Sequence, residues 1–108
     1  MGPVQLMVQE PPRLFVVRLA RGGPWDWSRD LREQHGFAEH ARFMNALADE
    51  GFILLGGPLE SERDTLHIID AASEQQIRDR LAEDPWAANG MLSVASIERW
   101  TILLDGRK

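Results

Sequence analysis

The sequence predicts one α+β domain of the ferredoxin-like kind, in which the order βαββαβ gives a four-stranded antiparallel sheet with two helices on one face. Three observations predict it. The length of 108 residues suits a single domain. Four short segments are rich in β-branched and aromatic residues, as strands are. Two segments with helical periodicity follow the first and the third of them.

The first strand is predicted at residues 14–19, which read Leu-Phe-Val-Val-Arg-Leu. Residues 1–12 before it carry no period and end in two prolines, so we expect a tail. Residues 20–34 after it form a long loop with a glycine pair and two neighbouring tryptophans, Trp25 and Trp27. Because loops of this length are often functional, we expect this one to be a lid over a binding pocket.

The first helix is predicted over residues 36–50, whose apolar side chains fall within one arc of a helical projection. His40 lies inside that arc. Two strands follow at residues 52–55 and 65–70. The charged stretch 60–64 between them is expected to connect them as a hairpin.

The second helix is expected to begin after Ser73, because Gln76 three residues later completes a capping box. Asp84 and the proline after it end this helix, and they suit the N-cap and first position of a further short turn. The last strand is predicted at residues 91–103. A bulge is expected near residues 95–96, where the apolar phase of this strand slips.

Composition narrows the possible partners and compartments. The formal charge is −5, with 12 basic against 17 acidic residues and no basic cluster, so no nucleic-acid partner is expected. The absence of cysteine excludes disulfides and thiolate chemistry and favours a cytoplasmic protein. The apolar runs are too short to span a membrane, so no membrane partner is expected. The predicted domain occupies residues 13–104, between the tail at 1–12 and a second tail at 105–108.

Both faces of the predicted sheet are apolar. In the first strand Phe15 and Val17 point to one side, while Leu14 and Val16 point to the other. Helices cover one face only, and stable monomers rarely expose large apolar patches. We therefore predict a twofold homodimer, in which the same face of a second copy covers the bare side. The alternative is that the tail or the long loop folds over it.

His40 and Asp84 are the candidate catalytic residues. A histidine inside an apolar arc is explained either by proton transfer or by a core-edge ring satisfied by backbone groups, and periodicity alone favours the second. Asp84 is explained by capping, or by orienting a histidine. The two residues are 44 positions apart. Because both helices lie on one sheet face, a contact that fixes the histidine tautomer is possible.

Other motifs give weaker signals. His35 and His67 form no i,i+4 or HExxH pattern with His40, so no metal site is predicted. The sequence contains no glycine-rich phosphate loop of the kind that binds nucleotides, and no cofactor is expected. Arg18 could hold an anion on the sheet face. The tryptophans could line a pocket for a small molecule or belong to the core.

Several segments together resemble the signature of the YciI-like, or YCII-related, proteins. These are residues 40–44 (His-Ala-Arg-Phe-Met), the strand 52–55, the Gly-Pro pair at 57–58 and the Asp-Pro-Trp turn at 84–86. The resemblance covers residues 13–102. Single positions that agree with the pattern are Leu47, Gly51, Ile97 and Trp100.

This resemblance implies a dimeric α/β barrel with a histidine and an aspartate placed together, which by position are His40 and Asp84. One activity associated with the family is dehydrochlorination of a chlorinated hydroxyquinol, and related barrels isomerise lactones or oxidise aromatics without a cofactor. We therefore expect a cofactor-independent enzyme of the lyase or isomerase type, acting on a small cyclic or aromatic substrate. The expected substrate-binding residues are Trp25, Trp27, Phe43, Gly57, Pro58 and Trp86.

Two other functions stay open at this stage. The same pocket would also serve a non-catalytic small-molecule binder or accessory subunit. A purely structural dimerisation module would need no pocket at all.

Overall fold

A computed structural model describes residues 13–107, and the elements below belong to that part of the chain. The predicted tail at residues 1–12 lies outside the described residues. None of the helices in the described range is long and apolar enough to cross a membrane. The elements in chain order are β1 (Leu14–Arg21), α1 (Phe37–Asp49), β2 (Ile53–Pro58), β3 (Asp64–Asp70), α2 (Glu74–Leu81), α3 (Pro85–Ala88) and β4 (Leu92–Arg99).

The four strands form one antiparallel sheet in the order β2-β3-β1-β4. This order places β1 and β3 in the centre and confirms the predicted ferredoxin-like α+β fold. The predicted bulge is present: Arg18 and Leu19 on β1 face Ser96 and Val94, which leaves Ala95 as the extra residue of β4. The strand β4 ends at Arg99, four residues earlier than the apolar sequence predicted.

The core lies between the helices and one face of the sheet. Val17 on β1, Ile69 on β3 and Ile77 on α2 are completely buried in it. Alternation along β1 and β3 sends every second side chain to this inner face. The outer face carries the half-buried Ile68 and the exposed Leu55.

The loop between β1 and α1 is fixed to the core, which differs from the predicted lid. Its Trp25 is buried and meets the edge of Trp86, with ring centroids 5.3 Å apart. The buried Gln34 amide accepts a hydrogen bond from Asp26 N (2.9 Å) and donates to the carbonyls of Asp26 (2.7 Å) and Arg29 (3.0 Å). Because the buried Gln34 amide donates hydrogen bonds to these loop carbonyls, the loop is held in one conformation.

Candidate active site

The helix α1 begins where the chain passes under the Trp86 indole. Gly36 is its N-cap and has a φ of 79°, a left-handed conformation that glycine adopts at low cost. A Cβ added to Gly36 would lie only 3.2 Å from Trp86 Nε1. This close approach puts His40, one turn into α1, directly beside Trp86.

Asp84 meets His40 across the fold. The His40 Nδ1 atom lies 2.8 Å from Asp84 Oδ2 and 3.0 Å from Oδ1. Asp84 is also the N-cap of α3, since its Oδ1 accepts a hydrogen bond of 3.0 Å from Trp86 N. The Asp84 carboxylate therefore caps α3 and binds His40 at the same time, because a carboxylate has several acceptor sites.

Trp86 holds the histidine ring in place. The His40 and Trp86 rings are stacked, with centroids 3.9 Å apart and planes 9° apart. Trp86 is itself buried, and its Nε1 donates a hydrogen bond of 2.8 Å to His35 O. A ring that is fixed by stacking on one face and by a carboxylate at Nδ1 has one defined orientation.

The carboxylate selects the histidine tautomer. An ionised carboxylate only accepts hydrogen bonds, so the proton of a neutral His40 resides on Nδ1 and the lone pair on Nε2. The Nε2 atom makes no hydrogen bond within residues 13–107. The side chains of His40 and Asp84 are 11% and 4% exposed, so water competes little for their contact.

A cavity of about 240 Å³ opens beside His40, bounded by α1, the edge strand β2 and the inner face of β3. Its walls are mainly apolar, as small-molecule sites usually are. Asp84 does not line this cavity and lies behind the histidine ring. The apolar lining residues are Leu31, Met44, Ala48, Ile53, Leu54, Leu55, Pro58 and Leu92.

His67 is a second histidine of the cavity, and the sequence pattern had been considered only for a metal site at this residue. It lies on β3 and is buried, and its pKa falls from the ordinary 6.5 to about 4. Burial is the main cause, the proximity of His40 lowers the pKa further, and Asp84 opposes both. His67 is therefore neutral at pH 7. Thr65, His67 and Ile69 occupy every second position of β3 and so point to the same inner face. This alternation was the sequence signal that could have identified His67.

Gly56 on β2 makes room for this ring. It lies opposite His67 in the sheet, and a Cβ added there would collide with the imidazole. The Gly-Gly-Pro segment therefore contributes space at Gly56, and Gly57 and Pro58 line the cavity. Among residues 13–107, no three His, Asp or Glu side chains are grouped so that they could hold a metal ion.

Four of the predicted substrate-binding side chains lie outside the cavity lining. Trp25 and Trp86 are core residues, and Phe43 packs against the core cluster. Trp27 is mostly exposed on the loop. The tryptophans act on the site from behind, because Trp86 supports His40 and Trp25 supports Trp86.

The split βαβ sheet carries helices that bring a buried histidine and a buried aspartate together beside a small cavity. This arrangement defines a class of small α+β proteins with a candidate acid–base site. Residues 15–101 match the family model described as the YCII-related domain. The match covers most of the chain, and the protein belongs to this family, as its resemblance to the YciI-like signature predicted.

A solved structure has the same fold. It is the 5-chloro-2-hydroxyhydroquinone dehydrochlorinase of Burkholderia phenoliruptrix, in complex with 2,5-dihydroxybenzoquinone. The two chains are 21% identical, the alignment covers 82% of this chain and 93% of the other, and the TM-score is 0.60. At this identity the likeness shows the fold. None of the curated proteins compared with the chain matches it.

Proposed function

We propose that the protein is a cofactor-independent enzyme of the lyase or isomerase type that moves a proton on a small oxygenated ring. The observation that carries the proposal is the contact of 2.8 Å between His40 Nδ1 and Asp84, which leaves Nε2 as the histidine's free base beside the cavity. A base, a carboxylate that orients it and a neighbouring space for a substrate are the parts that such a reaction needs.

In the proposed reaction His40 Nε2 accepts a proton from a ring hydroxyl. The resulting imidazolium donates a hydrogen bond from Nδ1 to Asp84. Its Nε2 then returns the transferred proton to a ring carbon of the substrate. A positioned acid–base group of this kind accelerates a reaction by roughly 10²–10⁴-fold. The stacked Trp86 contributes by keeping the ring in the orientation that the transfer requires, since misplacement by about 1 Å lowers rates strongly.

The size of the cavity supports a single-ring substrate. Its volume of about 240 Å³ exceeds the roughly 150 Å³ in which benzene binds, and the surplus suits a few oxygen or halogen substituents. The structural neighbour is named for a chlorinated hydroxyhydroquinone and contains a dihydroxybenzoquinone. Both belong to this size class, which supports a substituted quinol as the substrate.

Loss of hydrogen chloride from such a quinol balances without an oxidant. A proton moves from a hydroxyl oxygen to the carbon that carries chlorine and gives a keto tautomer. A second hydroxyl then loses its proton, its electron pair forms the quinone carbonyl, and chloride leaves with the C–Cl electrons. The carbon skeleton becomes a hydroxyquinone, and one proton and one chloride are released. In this proposal His40 carries both protons.

The test is chloride release from 5-chloro-2-hydroxyhydroquinone under anaerobic conditions, followed together with the quinone absorbance. His40→Gln is expected to lower kcat by about 10²-fold or more, and Asp84→Asn by about tenfold or more, because the asparagine amide no longer selects the tautomer. His35→Gln is the matched control, since the His35 side chain is exposed and lies outside the cavity lining.

Turnover that survives His40→Gln at the wild-type rate contradicts the proposal. Binding of the quinol with no turnover by the wild-type protein indicates the non-catalytic small-molecule binder instead.

A further inference from the structure

Three residues of the cavity lining each have a buried polar atom with no hydrogen-bond partner within residues 13–107: Arg21 Nε, Thr65 Oγ1 and His67 Nδ1. Their residues are 9%, 8% and 7% exposed. A buried polar group without a partner costs free energy, so native structures leave few of them and three around one cavity need an explanation. The proton transfer by His40 uses none of the three.

The sheet places these residues side by side. Thr65 lies opposite Leu19 in the pairing of β1 with β3, and His67 follows two residues along β3 on the same inner face. Arg21 lies two residues beyond Leu19 on β1 and is therefore the diagonal neighbour of Thr65. The three side chains form one row on the floor of the cavity.

Arg21 is held in a fixed orientation. Its Nη1 donates a hydrogen bond of 2.7 Å to Glu62 O, and its guanidinium lies 4.2 Å above the Trp25 ring. The Arg21 side chain is 3% exposed, whereas the nearest carboxylate, that of Glu62, is 3.9 Å away and 78% exposed. Burial lowers the pKa of Arg21, and Glu62 opposes this shift. A buried cation with an unused donor is suited to an anionic ligand.

We propose that Arg21, Thr65 and His67 form a subsite that binds an anionic oxygen of the substrate, either an ionised ring hydroxyl or a carboxylate on the ring. Arg21 Nε donates to this oxygen, the Thr65 hydroxyl donates beside it, and neutral His67 donates through one ring nitrogen. The inference rests on the proposed function, because it names the charged group of the ring on which His40 acts.

Matched probes measure this preference by isothermal titration calorimetry. Benzoate and benzamide compare a carboxylate with a neutral amide on the same ring. Pentafluorophenol, which is ionised at neutral pH, and hexafluorobenzene make the same comparison for a ring oxygen. We expect the wild-type protein to bind the anion about tenfold more tightly than the neutral probe in at least one pair, and the tighter anion identifies the source of the charge.

Thr65→Val is the sharpest variant. It removes Oγ1 at nearly constant volume, so binding of the preferred anion should weaken about fivefold or more. The midpoint of denaturant unfolding should stay the same or rise, because an unpartnered buried hydroxyl is lost. Arg21→Gln should abolish the preference for anions. The control is Thr101→Val, the same chemical change at an exposed position outside the cavity lining.

The subsite is overturned if Thr65→Val binds the preferred anion as tightly as wild type, if charged and neutral probes bind equally, or if neither binds. A Thr65→Val protein that loses several degrees of thermal stability also overturns it, because Oγ1 would then have a structural partner. These binding results test only the subsite, and the chloride-release assay tests the proposed function separately. Loss of turnover in His40→Gln with normal anion binding supports both proposals.

Discussion

His67 is neutral in the native protein and charged in an unfolded chain below pH 6.5. Its pKa is about 4 in the folded protein, so between these values the unfolded state binds more protons and the free energy of unfolding rises with pH. The contribution of His67 to the free energy of unfolding is therefore fully present above about pH 6.5 and is lost as the pH falls toward 4. The difference between the two values corresponds to roughly 3 kcal/mol.

His67→Gln should remove this part of the acid sensitivity. We expect the free energy of unfolding of the wild-type protein to fall more steeply from pH 7 to pH 4.5 than that of the variant, by about 2 kcal/mol. Denaturant unfolding at four pH values in this range measures the difference. His35→Gln, which changes an exposed histidine, should keep the wild-type slope. Parallel curves for wild type and His67→Gln would refute a buried neutral His67.

Individual residues of the site differed in how well the sequence predicted them. His40 stood out because it broke an apolar arc, and Asp84 because an Asp-Pro pair marks a cap; their contact depended on the fold and is present. Arg21 was missed because the predicted strand stopped at residue 19, two positions short of it. Arg18, considered as an anion site, lies on the outer face and pairs with Asp64 at 3.2 Å.

The edge strand β2 depends on a glycine at one position. Gly56 lies against the His67 ring, whereas a Cβ at Gly57 would meet nothing within 4 Å. The two glycines are adjacent and neither has a positive φ, so space rather than backbone conformation distinguishes them.

Gly56→Ala should therefore destabilise the protein and Gly57→Ala should not. Forcing a methyl group into a packed site costs about 1–3 kcal/mol. Thermal unfolding of the two variants measures the contrast, and Gly57→Ala is the matched control. The same displacement of His67 should weaken binding of any ring in the cavity. Equal stabilities for the two variants would show that β2 moves away from β3 without cost.

Among the larger elements, the loop between β1 and α1 differs most from its prediction. Its length, glycines and tryptophans are equally typical of a mobile lid and of a segment held by its own side chains. The deciding interactions are the Gln34 amide bonds and the packing of Trp25 on Trp86, which connect positions 8 and 61 residues apart. Local composition carries no information about such contacts.

For the whole molecule, strand alternation and the order of elements were sufficient to predict the fold. The two central strands each pair with two neighbours, and the helices bury the inner face that all four strands share, so few other arrangements satisfy the same pattern. The domain boundaries at 13 and 104 and the cytoplasmic location stay predictions. The homodimer stays a prediction as well, and the outer sheet face gives it a specific form.

The outer face exposes a continuous set of large apolar side chains. Leu55 is 58% exposed and Trp100 is 43% exposed. Together with Leu14, Ile68 and Leu104 they line a groove on the face that none of the helices within residues 13–107 covers. Stable monomers rarely leave such a patch in water, and a twofold partner would bury it on both copies at once.

We predict that Trp100→Glu dissociates this dimer. A carboxylate buried in an apolar interface without a partner costs several kcal/mol, enough to shift a micromolar dimer to monomer. Light scattering coupled to size-exclusion chromatography should give twice the chain mass for wild type and the mass of one chain for the variant. Trp27→Glu is the matched control, because Trp27 is 55% exposed but lies on the loop at the helix side of the sheet. Wild-type protein that is monomeric at micromolar concentration would refute the dimer, and dissociation by Trp27→Glu alone would move the interface to the helix side.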